Sequence, residues 1–353
     1  MKLIDRYIIS HILGMTAITA LALLAIQTFI AYIAEIDEVG QGDFGYLALA
    51  QYILLQVPVG LHTLLPIVAM LGTMLGLGVL AGQGELTAMR ASGVSLLRLG
   101  LATLGAGLLL ASLSVALGDW LGPGGQQRAE AMKSELRYGV TPGVGGRTVW
   151  LREGQDYFRI QRLLDQHHVE EMTIYSMNED LSLRQITAVA RGHHDDGQWH
   201  FEGVQSTALD DKGATVGRQA SMQWQGLSPE VLELFVLESR SLSALGLLQL
   251  IDYLEANDLD ALNQRLSLWR KLVAPITVMV MMLLAVPFVL GPLRDSGAGQ
   301  RLLVGIMIGL GFYLLNEVSA SFGQLYQWPA PVSAASPTAL VAVIAVWRLA
   351  QAR

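Results

Sequence analysis

Long apolar tracts without a charged residue recur along this sequence, and they restrict its fold more than any other feature. The first is Ile12–Ala34. A helix that crosses a bilayer needs roughly 20 apolar residues, because each residue advances it by about 1.5 Å. Five further tracts predict spans at residues 61–82, 99–118, 272–290, 302–322 and 333–349. The chain is therefore predicted to be an α-helical polytopic membrane protein with six transmembrane helices.

The charged residues are concentrated in one block, about residues 119–271, which predicts a single domain outside the membrane. Only 15% of the chain is charged, whereas soluble domains average about 25%. The net charge of −7 comes without a basic stripe that would indicate nucleic acid. The absence of cysteine excludes disulfides, thiol catalysis and most zinc motifs. Lys2 and Arg6 precede a tract too long for a signal peptide, so we expect a retained span.

The N-terminal half (1–120) contains one ambiguous stretch. No charge occurs from Phe44 to Gly84, which is too long for one span and slightly short for two. Pro58, Gly60 and Pro66 interrupt it, so we interpret 45–59 as a membrane-surface or partly inserted helix before the second span. Small residues in that second span predict close helix packing.

Basic residues predict the orientation, because short cytoplasmic loops are enriched in Lys and Arg. They occur at both termini and in the 83–98 and 291–301 loops: Lys2, Arg6, Arg90, Arg98, Arg294, Arg301, Arg348 and Arg353. The loops 35–52 and 323–332 contain none, and the first is acidic (Glu35, Asp37, Glu38, Asp43). Both termini are thus expected in the cytoplasm and the polar block outside.

Within that block, residues 121–240 show the period-two alternation of β-strands. The predicted strands are Thr148–Arg152, Tyr157–Arg162, Met172–Met177, Gln185–Arg191, Trp199–Val204 and Thr215–Trp224. Short turns separate them, including one at His193–Gln198, and this indicates a β-sandwich or jelly roll. A helical connector is predicted over 241–271, with leucines or isoleucine at 242, 245, 248, 251 and 254. Residues 272–353 complete the second membrane half.

No catalytic or cofactor motif is found. Asp119–Arg128 superficially resembles the signature loop of ABC ATPases, but no Gly-Lys pair exists, so a P-loop is excluded. We interpret 119–128 as a flexible exit from the third span, and we predict neither catalysis nor a bound cofactor.

Three groups of side chains are candidates for other roles. A histidine-rich turn (His193, His194, Asp195, Asp196, His200) lacks a fixed ligand spacing and is better explained as solvated than as a metal site. Glu317 lies inside a predicted span, where an acid suggests function, although no ionisable partner is evident at its depth. An interfacial group near the outer end, hydrogen-bonded to a neighbouring helix, is an equal alternative, and His62 is a weaker case. Basic residues flank the outer ends of the third and fourth spans and could contact lipid phosphates or form a solvated face: Lys133, Arg137, Arg265, Arg270 and Lys271.

The segment Gly84–Gly93 is a charged, helix-prone stretch between two spans. Its residues favour a helix, its ends are glycines, and it would lie in the cytoplasm. Such a rigid element is suited to receiving force from a docked partner, whereas a loop without a partner is the simpler alternative.

These features together resemble the LptF/LptG permeases, the membrane subunits of the lipopolysaccharide-exporting ABC transporter. The resemblance covers nearly the whole chain and is carried by Leu3–Ile8, Gly76–Gly78, Gly84–Gly93, Met172–Tyr175, Leu268–Lys271 and Gly291–Arg294.

The resemblance implies a permease paired with an LptF-type subunit, bound to an LptB-type ATPase dimer that uses ATP, and handing lipopolysaccharide to LptC- and LptA-type periplasmic proteins. It makes 84–93 the coupling helix, with Glu85 as its acidic residue and Leu86, Met89, Arg90 and Gly93 beside it. The first, second and fifth spans would line a cavity, with Phe29, Tyr32, His62 and Glu317 as candidate wall or gate residues. The family's lysines near the outer ends of the first two spans are replaced here by Glu35, Asp37, Glu38, Val59 and Gly60.

Other classes remain open from the sequence. The chain could be a mechanotransmitting scaffold that carries no lipid, the LptF-type partner itself, or a lipid-modifying membrane enzyme. The last is disfavoured because no acid–base pair or nucleophile constellation is found.

Overall fold

The computed structural model describes residues 3–138, 148–165, 167–178, 180, 182–195, 197–210, 213–225, 232, 242–291 and 296–351. The sequence predictions for Lys2, Asp196, Arg294 and Arg353 lie outside these residues. The helices are α1 (Leu3–Glu35), α2 (Tyr46–Gly82), α3 (Glu85–Ala91), α4 (Leu96–Ala116), α5 (Gly122–Tyr138), α6 (Ala244–Ala256), α7 (Leu262–Leu290), α8 (Ala298–Leu325) and α9 (Ala330–Gln351).

Six helices among the described residues are long and apolar enough to cross a membrane, as the sequence predicts. They are α1, α2, α4 with its continuation, α7, α8 and α9. Each extends beyond its apolar tract, because backbone hydrogen bonding does not stop where the side chains become polar.

The sequence interprets 45–59 as a membrane-surface or partly inserted helix, and its separation from the second span is wrong. α2 is one helix from Tyr46 to Gly82 and contains both Pro58 and Pro66. Proline removes one N–H and usually interrupts a helix in water. In a membrane bundle the freed carbonyls are satisfied locally or by neighbouring helices, so the helix continues.

The prediction of a flexible exit from the third span is also wrong. α4 continues through a π-helical turn, Leu117–Leu121, directly into α5. Pro123 directly follows the π-helical turn, and its missing N–H leaves a carbonyl of that preceding turn without a helical donor. The glycines of this segment therefore lie within continuous helix.

A first compact unit comprises Met1–Ala34, Ile53–Gly125 and Leu262–Arg353. Glycines of α2 bring its neighbours close. A Cβ built on Gly76 would lie 3.0 Å from the carbonyl oxygen of His11 and from the Cα of Ile12, both on α1. A Cβ on Gly78 would lie 2.5 Å from Nη1 of Arg301 on α8. The predicted role of these small residues in helix packing is thereby confirmed.

The second unit comprises Glu35–Tyr52 and Gln126–Ala261. Its sheet contains β1 (Val149–Glu153), β2 (Asp156–Asp165), β3 (His168–Met177), β4 (Leu183–Asp195), β5 (Gln198–Asp210) and β6 (Gly213–Trp224). The described strands pair antiparallel in chain order, which is a meander. An inserted all-β domain is confirmed, but a jelly roll, in which sequence-distant strands become neighbours, is not.

All six predicted strands are present, and most are longer than their alternating segments. Phe158, Ile174, Trp199 and Phe201 form the centre of the buried side. β4 extends to Asp195, so the predicted turn at His193–Gln198 is too wide and its first three residues are strand. The hairpin pairing of β4 with β5 continues to Asp195 and Gln198, which explains the shorter turn.

The predicted helix after the sheet is confirmed as α6, and its buried face contains part of the predicted series. Ile251 and Leu254 of that series are buried, together with Leu247 and Leu250. Leu245 and Leu248 of the series are exposed.

Candidate functional site

The charged segment after the second span folds as α3, and glycines flank it. Gly84 has φ +77° and Gly93 has φ +91°, backbone angles that glycine adopts without strain. Between them the helix has only 7 residues. Backbone hydrogen bonds at both ends and the side-chain contacts of the helix together set its orientation.

The apolar residues of α3 anchor it to the bundle. Leu86 is buried in the core of the first unit, and Met89 packs against that core. Arg90 is exposed, and with Leu86, Met89, Val94 and Leu96 it lines a shallow hollow between α3 and α4. One face of α3 is thus fixed, and a charged face is available to a partner.

The polar contacts of this segment reach the first turns of α1. The hydroxyl of Tyr7 donates to Oε1 of Glu85 at 3.2 Å. The Nε of Arg98, in the first turn of α4, donates to Oδ1 of Asp5 at 3.2 Å. Sequence reasoning assigned no role to Tyr7 or Asp5, and their position within the Leu3–Ile8 motif was the only available signal.

Glu317 has an ionisable partner, contrary to the sequence interpretation. Nη2 of Arg270 on α7 donates to Oε2 of Glu317 on α8 at 3.0 Å and to the carbonyl of Asn316 at 3.3 Å. The two residues are 47 positions apart in the sequence, so only helix packing brings them together.

Lys271 and His62 meet at the π-helical turn. Nζ of Lys271 donates to the carbonyl of Gly118 at 2.5 Å. A Cβ on Gly118 would lie 2.6 Å from the His62 ring, and Nδ1 of that ring is 3.5 Å from Oγ of Ser114. A π-turn leaves carbonyls without their usual α-helical donors, and Lys271 supplies a donor to one of them.

Lys133 and Arg137 lie in the second unit, on α5, facing the acidic loop after α1. Nζ of Lys133 is 2.7 Å from Glu35 and 2.5 Å from Glu38, and it lies 4.9 Å above the Tyr52 ring. Nη1 of Arg137 is 3.0 Å from Glu38.

The five candidate phosphate contacts are divided between the two units. Lys133 and Arg137 belong to the second unit, whereas Arg265, Arg270 and Lys271 are on α7 in the first. Arg265 is exposed near the start of that helix. The charges of Lys133, Arg137 and Arg270 are compensated by carboxylates of this chain, so an anionic ligand would compete with them.

Two helices expose most of their apolar surface. In the most apolar part of α1 only 6% of residues are buried, and in that of α8 only 11%. Phe29 on α1 is exposed and Tyr32 is half-buried. Lipid or another membrane protein must cover these faces in a bilayer, since apolar side chains avoid water.

The histidines of the histidine-rich segment pair across the sheet. His193 pairs with His200, and their rings stack with centroids 5.2 Å apart; the ring of His194 lies against Trp199. Among the described residues no group of three or more His, Cys, Asp or Glu is arranged to hold a metal ion.

The comparisons with known proteins agree with this architecture. The family profile described as "Lipopolysaccharide export system permease LptF/LptG" matches residues 6–351. The chain is 31% identical over 316 residues to the lipopolysaccharide export system permease protein LptG of Escherichia coli (strain K12), covering 88% of each chain. It is 29% identical over 353 residues to the LptG protein of Haemophilus influenzae, covering 99% of each.

Proposed function

Because the chain belongs to the LptF/LptG family of lipopolysaccharide export permeases, we propose that it is the LptG-type permease subunit of an ABC transporter. It is a multi-pass membrane protein with an inserted β-domain. In the proposed function it takes lipopolysaccharide from the inner membrane and passes it to a periplasmic bridge toward the outer membrane.

One observation carries the coupling part of this proposal. α3 is a short helix between two long apolar helices, with one face anchored by Leu86 and with Glu85 and Arg90 at its ends. We propose that α3 docks on an LptB-type ATPase dimer and that Glu85 is the acidic contact. ATP is then bound and hydrolysed in that separate subunit, and this chain holds no cofactor.

The exposed apolar faces of α1 and α8 support a second membrane subunit. An LptF-type permease would cover part of each face, and the remaining parts would line a cavity for lipid acyl chains. Phe29 and Tyr32 on α1, His62 on α2 and Glu317 on α8 would then stand at the cavity wall or its gate.

The distribution of basic residues supports the proposed orientation. Arg90, Arg98 and Arg301 lie near one set of helix ends, and the acidic loop after α1 lies at the other. Both termini and α3 would be cytoplasmic. The β-domain would be periplasmic, where LptC- and LptA-type proteins could contact it.

The ion pairs suggest how lipid phosphates would be received. The proposed contacts remain Lys133, Arg137, Arg265, Arg270 and Lys271. Three of them, Lys133, Arg137 and Arg270, pair with carboxylates of this chain and would exchange that carboxylate for a lipid phosphate. Such an exchange keeps the cation paired throughout, which avoids an isolated charge near the membrane.

The test combines purification with crosslinking in the complete complex. Glu85→Lys should lower ATPase recovery with the chain and abolish lipid movement, whereas Gln83→Lys, which adds a charge just before α3, should do neither. Photocrosslinkers at Phe29 and Leu314 should give ATP-dependent adducts with lipopolysaccharide. ATPase binding with no lipid adduct from either helix would instead indicate a scaffold that carries no lipid.

A further inference from the structure

The first turns of α1 hold both ends of the segment that contains α3. At its start, the Tyr7 hydroxyl donates to the Glu85 carboxylate at 3.2 Å. After its end, Arg98 pairs with Asp5 at 3.2 Å. Tyr7 and Asp5 are two residues apart on one helix, while Glu85 and Arg98 stand on different helices joined by the Gly93 turn.

The exposed Tyr7 side chain has an aromatic neighbour on its own helix. Its ring lies 4.3 Å from the ring of His11, one helical turn later, and Nδ1 of His11 lies 3.1 Å from the Tyr7 carbonyl. A tyrosine side chain has only two rotatable χ angles, so the bond to Glu85 orders few torsions.

Apolar contacts reinforce the same connection. Leu86 lies in the core cluster that contains Ile8 of α1, and Ile4 and Met89 pack against that cluster. α3 and the start of α1 therefore share one apolar core, in addition to the Tyr7–Glu85 hydrogen bond.

The backbone enters and leaves α3 at glycines. Gly84 and Gly93 both have positive φ, and a Cβ on either would meet open space. Backbone hydrogen bonds also cross these positions, from the amide of Ala88 to the Gly84 carbonyl and from the amide of Val94 to the Met89 carbonyl. The side-chain contacts with α1 are therefore a second connection, in addition to the chain itself.

We propose that Tyr7 and Asp5 are positioning residues that pass the movement of α3 to α1. This inference rests on the proposed docking of α3 to an ATPase. When α3 moves, the hydrogen bond from Tyr7 to Glu85 moves Tyr7 with it. The Asp5–Arg98 pair keeps the start of α1 fixed to α4. α1 therefore tilts about its first turn when α3 moves. α1 is suited to this role because most of its apolar face is not packed within this chain.

The experiment compares Tyr7→Phe and Asp5→Asn with Ser10→Ala in the complete complex reconstituted with lipopolysaccharide. Ser10 is the matched control, because its hydroxyl donates to the Tyr7 carbonyl of its own helix, at 2.8 Å. We expect Tyr7→Phe and Asp5→Asn to lower the lipid delivered per ATP by about fivefold or more, a typical size for coupling between sites. The KM for ATP should not change, and Ser10→Ala should resemble the wild type.

A spectroscopic readout separates coupling from stability. The chain has no cysteine, so Ile18→Cys, at an exposed position of α1, can carry a fluorophore. A sample with Ile18 unchanged corrects for labelling of the other subunits. The ATP-dependent change in fluorescence should be present in Ser10→Ala and lost in Tyr7→Phe. A full signal and normal lipid delivery in Tyr7→Phe would overturn the inference.

A double-mutant cycle that combines Tyr7→Phe with Glu85→Gln tests whether the loss of lipid delivery arises at the Tyr7–Glu85 contact. If Tyr7 acts through Glu85, the double variant should be no worse than the more defective single variant, and effects that simply multiply would overturn the proposed route. Failure of the proposed function gives a different result, because Glu85→Lys would then purify with the ATPase and export lipid normally.

Discussion

The guanidinium of Arg270 on α7 donates to the carboxylate of Glu317 on α8 at 3.0 Å, and it also donates to the carbonyl of Asn316. α8 otherwise exposes most of its apolar surface. The pair therefore ties the C-terminal half of α8 to α7, and it gives the carboxylate within this apolar helix a cationic partner.

Arg270→Gln should destabilise the protein by about 1 kcal/mol, since both side chains are partly exposed and solvent screens the pair. Exchanging the charges, in Arg270→Glu with Glu317→Arg, should recover part of the loss because attraction is restored. Unfolding midpoints followed by tryptophan fluorescence give the values. An exchange variant as unstable as the sum of the two single changes would contradict a pairwise interaction.

Lys133→Met should destabilise the connection of α5 to the loop after α1, because it leaves Glu35 and Glu38 facing each other without their shared cation. Adding Glu35→Gln and Glu38→Gln should relieve much of the defect. The effect should shrink in 1 M salt, where the Debye length is only about 3 Å. Asp37→Asn, an exposed neighbour on the same turn, is the control and should have little effect at any salt concentration.

Gly76→Ala should lower stability by roughly 1–3 kcal/mol through overpacking. The new methyl group would press on the α1 backbone at His11 and Ile12, and backbone atoms cannot rotate away as a side chain can. Gly82→Ala, on the same helix with no atom within 4 Å of its Cβ, should be neutral or slightly stabilising. Yield and unfolding temperature of the two variants measure the difference, and equal behaviour would refute the close approach of α1 and α2.

Tyr253 should make the β-domain sensitive to high pH. Burial raises the pKa of Tyr253 to about 12, the charge of Glu153 acts in the same direction, and the hydroxyl donates to the Arg152 carbonyl at 2.7 Å. Because the pKa is higher in the folded state, this contribution to stability is complete below about pH 10 and is lost as the pH rises toward 12. Hydrogen exchange of the β1 amides should accelerate in that window. In Tyr253→Phe, the β1 amides should exchange faster at neutral pH, but their exchange rates should rise less between pH 10 and 12. A pH dependence identical to that of the wild type would refute the assignment to Tyr253.

The spans and strands could be predicted from the sequence because their signals are local. The length of an uncharged tract indicates a transmembrane helix. Alternation of apolar and polar residues, in a stretch bounded by turn residues, indicates a strand. The lengths of α2 and of the α4–α5 helix could not be predicted, because proline and glycine are ambiguous signals. Whether they end a helix depends on the groups that neighbouring helices supply, as Lys271 does for the Gly118 carbonyl.

The candidate site was predicted as a set of residues but not as a set of contacts. The sequence by itself determined which charged residues stand at the ends of the spans, and where the short charged helix lies. Only the tertiary structure decided that Glu85 meets Tyr7, that Glu317 meets Arg270, and that Glu35 meets Lys133, which is 98 positions away. Local patterns depend on a few neighbouring residues, whereas these pairings depend on which faces of distant helices pack together, and no short stretch of sequence encodes that choice.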